Sequence, residues 1–180
     1  MLHAAHQTKV PVYVNVKPKS SPLRPLAYKG ACLLVCNAKE AAHYFGRALP
    51  DENSFHQASE GLLGYFGCAA VVITRGAQGM TIFEEGWSRP VHIHARNFEV
   101  TYARVGKHGV EQGSTGRQVF DVTGAGDTVL SVLSLALAAG ANLPEAALLA
   151  NTAAGVVVGK LGTATVTPAE LAAALDEIHV

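Results

Sequence analysis

The sequence predicts an α/β layered domain built on a mostly parallel sheet. Three observations carry this expectation. β-branched or apolar runs recur at 10–16, 31–36 and 69–74. Helical segments alternate with them. The last third holds long apolar helices with clear start signals. Strands alternating with helices are the pattern of a sheet covered by helices.

The elements follow in order. "VPVYVNV" (10–16) is rich in β-branched residues and reads as a strand. "KPKSSPLRPLAYKG" (17–30) is rich in Pro and Ser and reads as a loop. "ACLLVC" (31–36) is the second strand, and "AKEAAHYFG" (38–46) a short helix closed by Gly46. "FHQASEGLLGYFG" (55–67) is a helix with Leu62, Leu63, Tyr65 and Phe66 at its end, and "AAVVIT" (69–74) is a buried strand. "GMTIFEEG" (79–86) and "PVHIHA" (90–95) form a hairpin or meander around Gly86. "RVGKHGVEQGSTGRQ" (104–118) is polar and glycine-rich and is expected to be a mobile loop. Residues 125–139 and 145–159 read as apolar helices, the second started by Asn142 and Pro144. Thr167-Pro168-Ala169-Glu170 is a capping box that opens a final amphipathic helix, 168–178.

Composition narrows the function classes. The 180 residues are 49% hydrophobic and 16% charged, enough for one sizeable core. Lys plus Arg equals Asp plus Glu at 14 each, so there is no global basic field to hold nucleic acid. No apolar run is long enough to span a bilayer, and "MLHAAHQTKV" lacks the regions of a secretion signal. Cys32, Cys36 and Cys68 make no disulfide framework, and the expected setting is cytoplasmic.

The most informative stretch is "DVTGAGD", Asp121 to Asp127, at the head of an apolar helix. The first turn of a helix leaves N–H groups without partners and carries partial positive charge. Glycines there let an anion approach the backbone, so Gly124, Ala125 and Gly126 are read as an anion hole. Asp127 beside it suits a base that accepts a proton from a hydroxyl attacking a phosphoryl group. The plainer alternative is that an acid in a first turn simply suits the helix dipole. Val129 stands where a dinucleotide fingerprint needs a third glycine, and a Walker loop's G-K-[ST] does not occur. His92 and His94 alternate on one strand face, but no nearby carboxylate or cysteine completes a metal set, so an exposed face is expected. Cys32 and Cys36 share a strand face as buried thiols, and Met80 and Trp87 are packing residues.

"DVTGAGD" and the later block "ANTAAGVVVGKLGTATVTPAEL" (150–171) resemble the ribokinase-like (PfkB) carbohydrate kinases, most closely their heptose 7-phosphate kinase branch. "NAKE", Asn37 to Glu40, is similar to the family's N-x-x-E, and "TRGAQG", Thr74 to Gly79, to its T-x-G-x-x-G nucleotide loop. The resemblance implies a ribokinase-like fold and transfer of the γ-phosphoryl of ATP to a sugar hydroxyl. Asp127 would be the base, with Gly124, Ala125 and Gly126 stabilising the developing charge. Asn37 and Glu40 would serve Mg2+ and phosphate, Glu40 through waters. Thr74, Gly76 and Gly79 would shape the nucleotide pocket, Asn151 would lie near adenine, and Lys17 would face phosphate. The segment around Gly162 resembles a loop that holds a monovalent cation, K+. Read on their own residues, "NAKE" is also an ordinary capping box and "TRGAQG" an ordinary glycine turn.

The chain departs from the pattern in three places. The family's first half, with its sugar-binding residues and small β lid, has no counterpart here. Residues 1–180 are therefore expected to be the C-terminal, nucleotide-binding half of a kinase domain, with Met1 in the helix before a mid-fold strand. Asn15 replaces an acid, and 104–118 is longer than the usual connection. The expectation is a fragment, a split-gene product or a degenerate relative, one that self-associates or works with an N-terminal half. Two other readings stand beside the heptose kinase: an inactive nucleotide-binding or assembly module, and a kinase for another sugar or nucleoside.

Overall fold

The computed structural model describes residues 2–18, 28–95, 100–106, 109–115, 124–160 and 164–176. Helix α1 (Leu2–Thr8) leads into a five-stranded sheet: β1 (Tyr13–Asn15), β2 (Leu33–Asn37), β3 (Ala70–Thr74), β4 (Met80–Glu84) and β5 (Val91–Ile93), side by side in that order. β1, β2 and β3 are parallel, while β4 is antiparallel to both β3 and β5. Four strands thus run one way and β4 alone runs back, as the tight turns at 75–79 and 85–90 require.

The sheet is covered on both faces. α2 (Ala38–Phe45) and α3 (Glu52–Phe66) take one face, α4 (Ala125–Ala138) and α5 (Leu143–Val158) the other. Strand alternation divides the side chains between two apolar clusters. Leu33, Val35, Ala70, Val72, Met80 and Ile82 pack against α4 and α5, whereas Leu34, Cys36, Val71 and Ile73 pack against α2 and α3. With both faces dry, these strands read in sequence as continuous apolar runs. α6 (Pro168–Asp176) packs on α5. Lys160 Nζ lies 2.6 Å from Glu170 Oε1, and Thr167 N donates to Glu170 Oε2 at 2.8 Å. Those bonds, Lys160 first, pull the Glu170 carboxyl down to about 2.

Caps set the helix boundaries. Asn37 with Glu40, Asp51 with Ser54, and Asn142 with Glu145 each form a reciprocal capping box. Asp51 moves the start of α3 to Glu52, ahead of the expected position 55. The expectation of a loop at 104–118 needs correction. β6 (Val100–Gly106) and β7 (Gly109–Thr115) pair antiparallel, with Val100 opposite Thr115 and Gly106 opposite Gly109. Backbone pairing overrides the glycine-rich composition there; residues 107–108 and 116–118 lie outside the described residues. Cys32 is corrected too: it precedes β2 and is exposed, while Cys36 is buried as expected. Met80 is buried and Trp87 packs against the core, as read. No helix among the described residues is long and apolar enough to cross a membrane.

Candidate functional site

β1, β2, β3 and β5 all end at one edge of the sheet, and in open α/β folds ligands settle outside such carboxyl ends. Register lines up four residues there: Asn37 opposite Thr74, Thr74 opposite Met80, and Met80 opposite Ile93. Asn15 sits slightly back from that row, level with Val35. Its Oδ1 is buried and has no hydrogen-bond partner among the described residues. Lys17 follows, exposed to solvent.

Asn37 and Glu40 form their capping box at this edge. Asn37 N donates to Glu40 Oε2 at 2.7 Å, and Glu40 N to Asn37 Oδ1 at 2.9 Å. The bonds are those of the capping reading, and they engage both Glu40 Oε2 and Asn37 Oδ1 with main-chain N–H groups. A single carboxylate of this kind fits a magnesium ion only through waters that the ion retains. Among the described residues no cluster of three His, Cys, Asp or Glu could cage a metal directly.

The turn after β3 is tight. Thr74 Oγ1 reaches the Cys36 carbonyl at 3.5 Å. Arg75 N donates to Gly79 O at 2.7 Å, and Gly79 N to Gly76 O at 3.0 Å. Gly76 (φ 58°) is exposed, with open space where a Cβ would stand. Gly79 (φ 93°) is buried, and a Cβ there would lie 2.0 Å from the Ile93 carbonyl oxygen. Gly79→Ala is therefore expected to cost about 2–4 kcal/mol of stability. Urea unfolding would measure this; a loss below about 0.5 kcal/mol would contradict the close approach.

α4 begins differently from its neighbours. Its N-cap, Gly124, has φ 87° and no side chain to cap the helix, whereas Asn37, Asp51 and Asn142 cap theirs. Space beside Gly126 is open, and Asp127 is exposed in the first turn. α4 and α5 pack closely across a short turn. Halfway along α5, buried Asn151 donates from Nδ2 to the His94 carbonyl at 2.7 Å. This bond ties α5 to the end of β5, and its amide nitrogen is spent on main chain. The segment around Gly162 lies outside the described residues (161–163).

The sequence reading gave Arg75 no role, yet its side chain is only 7% exposed and pairs with Glu52. A charged residue directly after an apolar strand was the available signal. His92, expected on an exposed face, is half-buried and meets Arg75 Nη1 through Nδ1 at 3.0 Å. Burial and the nearby guanidinium hold its pKa below the usual histidine value.

The family profile described as pfkB family carbohydrate kinase matches residues 1–170. The bifunctional protein HldE of Geobacter sulfurreducens is 44% identical over 175 residues, which is 97% of this chain and 31% of that protein. Among solved structures, ribokinase of Arabidopsis thaliana, complexed with ribose and ATP, superposes with a TM-score of 0.78 at 21% identity, over 96% of this chain and 50% of that one. Phosphofructokinase-2 of Escherichia coli, in complex with potassium, gives 0.75 at 17% identity, over 99% and 51%. The chain thus spans about a third of its curated relative and about half of each solved chain.

Proposed function

Because the chain belongs to the pfkB family of carbohydrate kinases, we propose that it supplies the nucleotide side of an ATP-dependent sugar kinase, with a heptose 7-phosphate as the sugar. The observation that carries this reading is the N-terminus of α4, which has no side-chain cap among the described residues. Gly124, Ala125 and Gly126 present backbone there without a side-chain cap, and Asp127 stands beside them.

In the proposed reaction, Asp127 accepts the proton of the attacking sugar hydroxyl. That oxygen bonds to the γ-phosphorus as the bond to the bridging oxygen breaks, and ADP leaves. The N–H groups of the first turn of α4 hold the phosphoryl oxygens, where negative charge gathers. Magnesium, when bound, neutralises phosphate charge; Asn37 and Glu40 would hold its waters. Lys17 would add a positive charge at the end of β1. Thr74, Gly76 and Gly79 would form one wall of the nucleotide pocket. Asn151 would support the adenine side by fixing the end of β5. Potassium, bound in the phosphofructokinase-2 structure, would be held here by carbonyls near Gly162.

Gly126→Val tests the anion hole. The side chain would enter open space, so folding should survive while phosphate is kept from the backbone. Calorimetric titration with ATP and magnesium should show a large loss of affinity. Unchanged affinity in a folded variant would mean that the glycines serve the helix alone. A coupled ADP-release assay with heptose 7-phosphate and a panel of other sugars and nucleosides would test the acceptor.

A further inference from the structure

The turn that would hold the nucleotide is anchored by a buried cation. Arg75 makes a two-pronged pair with Glu52 at the start of α3: Nη1 to Oε2 at 2.9 Å and Nη2 to Oε1 at 2.7 Å. Nη1 also lies 3.2 Å from Thr81 Oγ1 on β4 and 3.0 Å from His92 Nδ1 on β5. Beneath the fork, Cζ sits 3.9 Å from the centre of the Phe55 ring. Through its main chain the same residue closes the turn, donating to Gly79 O and accepting from Gln78 N at 3.2 Å.

Two details separate this cluster from ordinary packing. Nη1 has two hydrogens and faces three acceptors, while buried Nε has no partner among the described residues. The side chain is therefore held at a set position rather than at its hydrogen-bonding optimum. His92 is the second detail, meeting Arg75 Nη1 through its Nδ1 from β5. To accept from Arg75 on Nδ1 it must be neutral, with its proton on Nε2. The pair itself is not dry: the Arg75 side chain is 7% exposed but that of Glu52 is 66% exposed. An ion pair with one partner in water adds little stability, so what the buried guanidinium contributes is the fixed arrangement of the groups around it.

We propose that Arg75 is a positioning residue: it clamps α3, β4 and β5 beneath residues 76–79 and so sets the backbone that receives the nucleotide. This rests on the reading of that turn as the nucleotide wall. His92 is the second member of the clamp. The charged groups facing it are Arg75, Glu52 and His94, whose ring centre lies 4.5 Å away. Its folded-state pKa is depressed, so the neutral form is favoured by folding. That contribution is present above the ordinary value of 6.5 and is lost as pH falls through the folded value.

The test uses the full chain and four variants: Arg75→Met, Arg75→Lys, Glu52→Gln and His92→Gln. Affinity for MgADP is read by calorimetry, melting temperature by circular dichroism, and protection of the Gln78 and Gly79 amides by hydrogen exchange. Arg75→Met should weaken MgADP by about tenfold, the equivalent of about 1.4 kcal/mol, and deprotect both amides. Arg75→Lys keeps the charge without the fork and should recover only part of the affinity. The two conservative variants, Glu52→Gln and His92→Gln, guard against a variant that merely fails to fold. Parental affinity should fall on acidification, and His92→Gln should flatten that profile. Lower melting temperatures with unchanged affinity and protection would overturn the proposal and leave a purely structural ion pair. If the parent binds MgADP and all four variants match it, the clamp is refuted alone. A parent that binds no nucleotide, with or without an N-terminal half, refutes the nucleotide wall and the clamp together.

Discussion

Asp127→Asn is expected to lower sugar phosphorylation by about two to four orders of magnitude, the usual cost of losing a general base. The substitution keeps the shape of the side chain and removes its ability to take a proton. Asp127 is exposed in the first turn of α4, so the helix should tolerate the change. Some stability will be lost because a negative charge at a helix N-terminus interacts favourably with the dipole, by about 0.3–1 kcal/mol. Nucleotide affinity should change little, since the carboxylate faces the acceptor hydroxyl in the proposed reaction. The measurement is single-turnover phosphorylation by whichever assembly is active, alongside calorimetric titration with MgATP. Parental rates in the variant would reassign Asp127 to the helix dipole. A collapse of MgATP affinity would place it on the nucleotide instead.

The second large effect concerns what lies beyond β1. Among the described residues β1 has a neighbour on one side only, and it is three residues long. Val10, shortly before β1, is 56% exposed. An open strand edge with an exposed apolar residue beside it seeks a partner. The matched solved chains are about twice as long as this one. The 180 residues assayed by themselves should therefore bind ATP weakly, self-associate and show little sugar phosphorylation. Supplying an N-terminal kinase half, fused or as a second chain, should raise turnover by about two orders of magnitude or more, because holding two reactants in line supplies much of the catalysis. Light scattering gives the mass and coupled ADP release the rate. A monodisperse monomer with robust sugar-dependent ADP release would overturn this expectation.

Much of the architecture was legible because its causes are local. β2 and β3 announce themselves in "LLVCN" and "AVVIT", since both faces of each strand are buried. α5 and α6 carry their start signals in Asn142-Leu143-Pro144-Glu145 and Thr167-Pro168-Ala169-Glu170. The hairpin at 100–115 was not legible. Gly106, Gly109 and Gly113 dilute the strand signal, and only cross-strand pairing restores it. The candidate site divides in the same way. Gly124 to Asp127 is a contiguous motif, so it could be read directly. Arg75, Glu52, Thr81 and His92 are scattered over forty-odd positions and meet only when α3 packs over the β3–β5 edge.

By itself, then, the sequence determined what neighbouring residues can decide: most strand and helix types, the capping boxes at Asn37 and Thr167, the unusual glycine start of α4, and membership of a kinase family through short motifs. The tertiary structure decided which motif residues share an edge, that Asn37 and Thr74 stand opposite one another, that Gly79 must be glycine because the Ile93 carbonyl occupies the place of its side chain, and that a charged residue after β3 is buried. The physical reason is range. Capping and strand propensity act over about four residues and leave a trace in local order. Register, close backbone approach and the pairing of a buried charge depend on residues that are distant in the chain, and only folding brings them into contact.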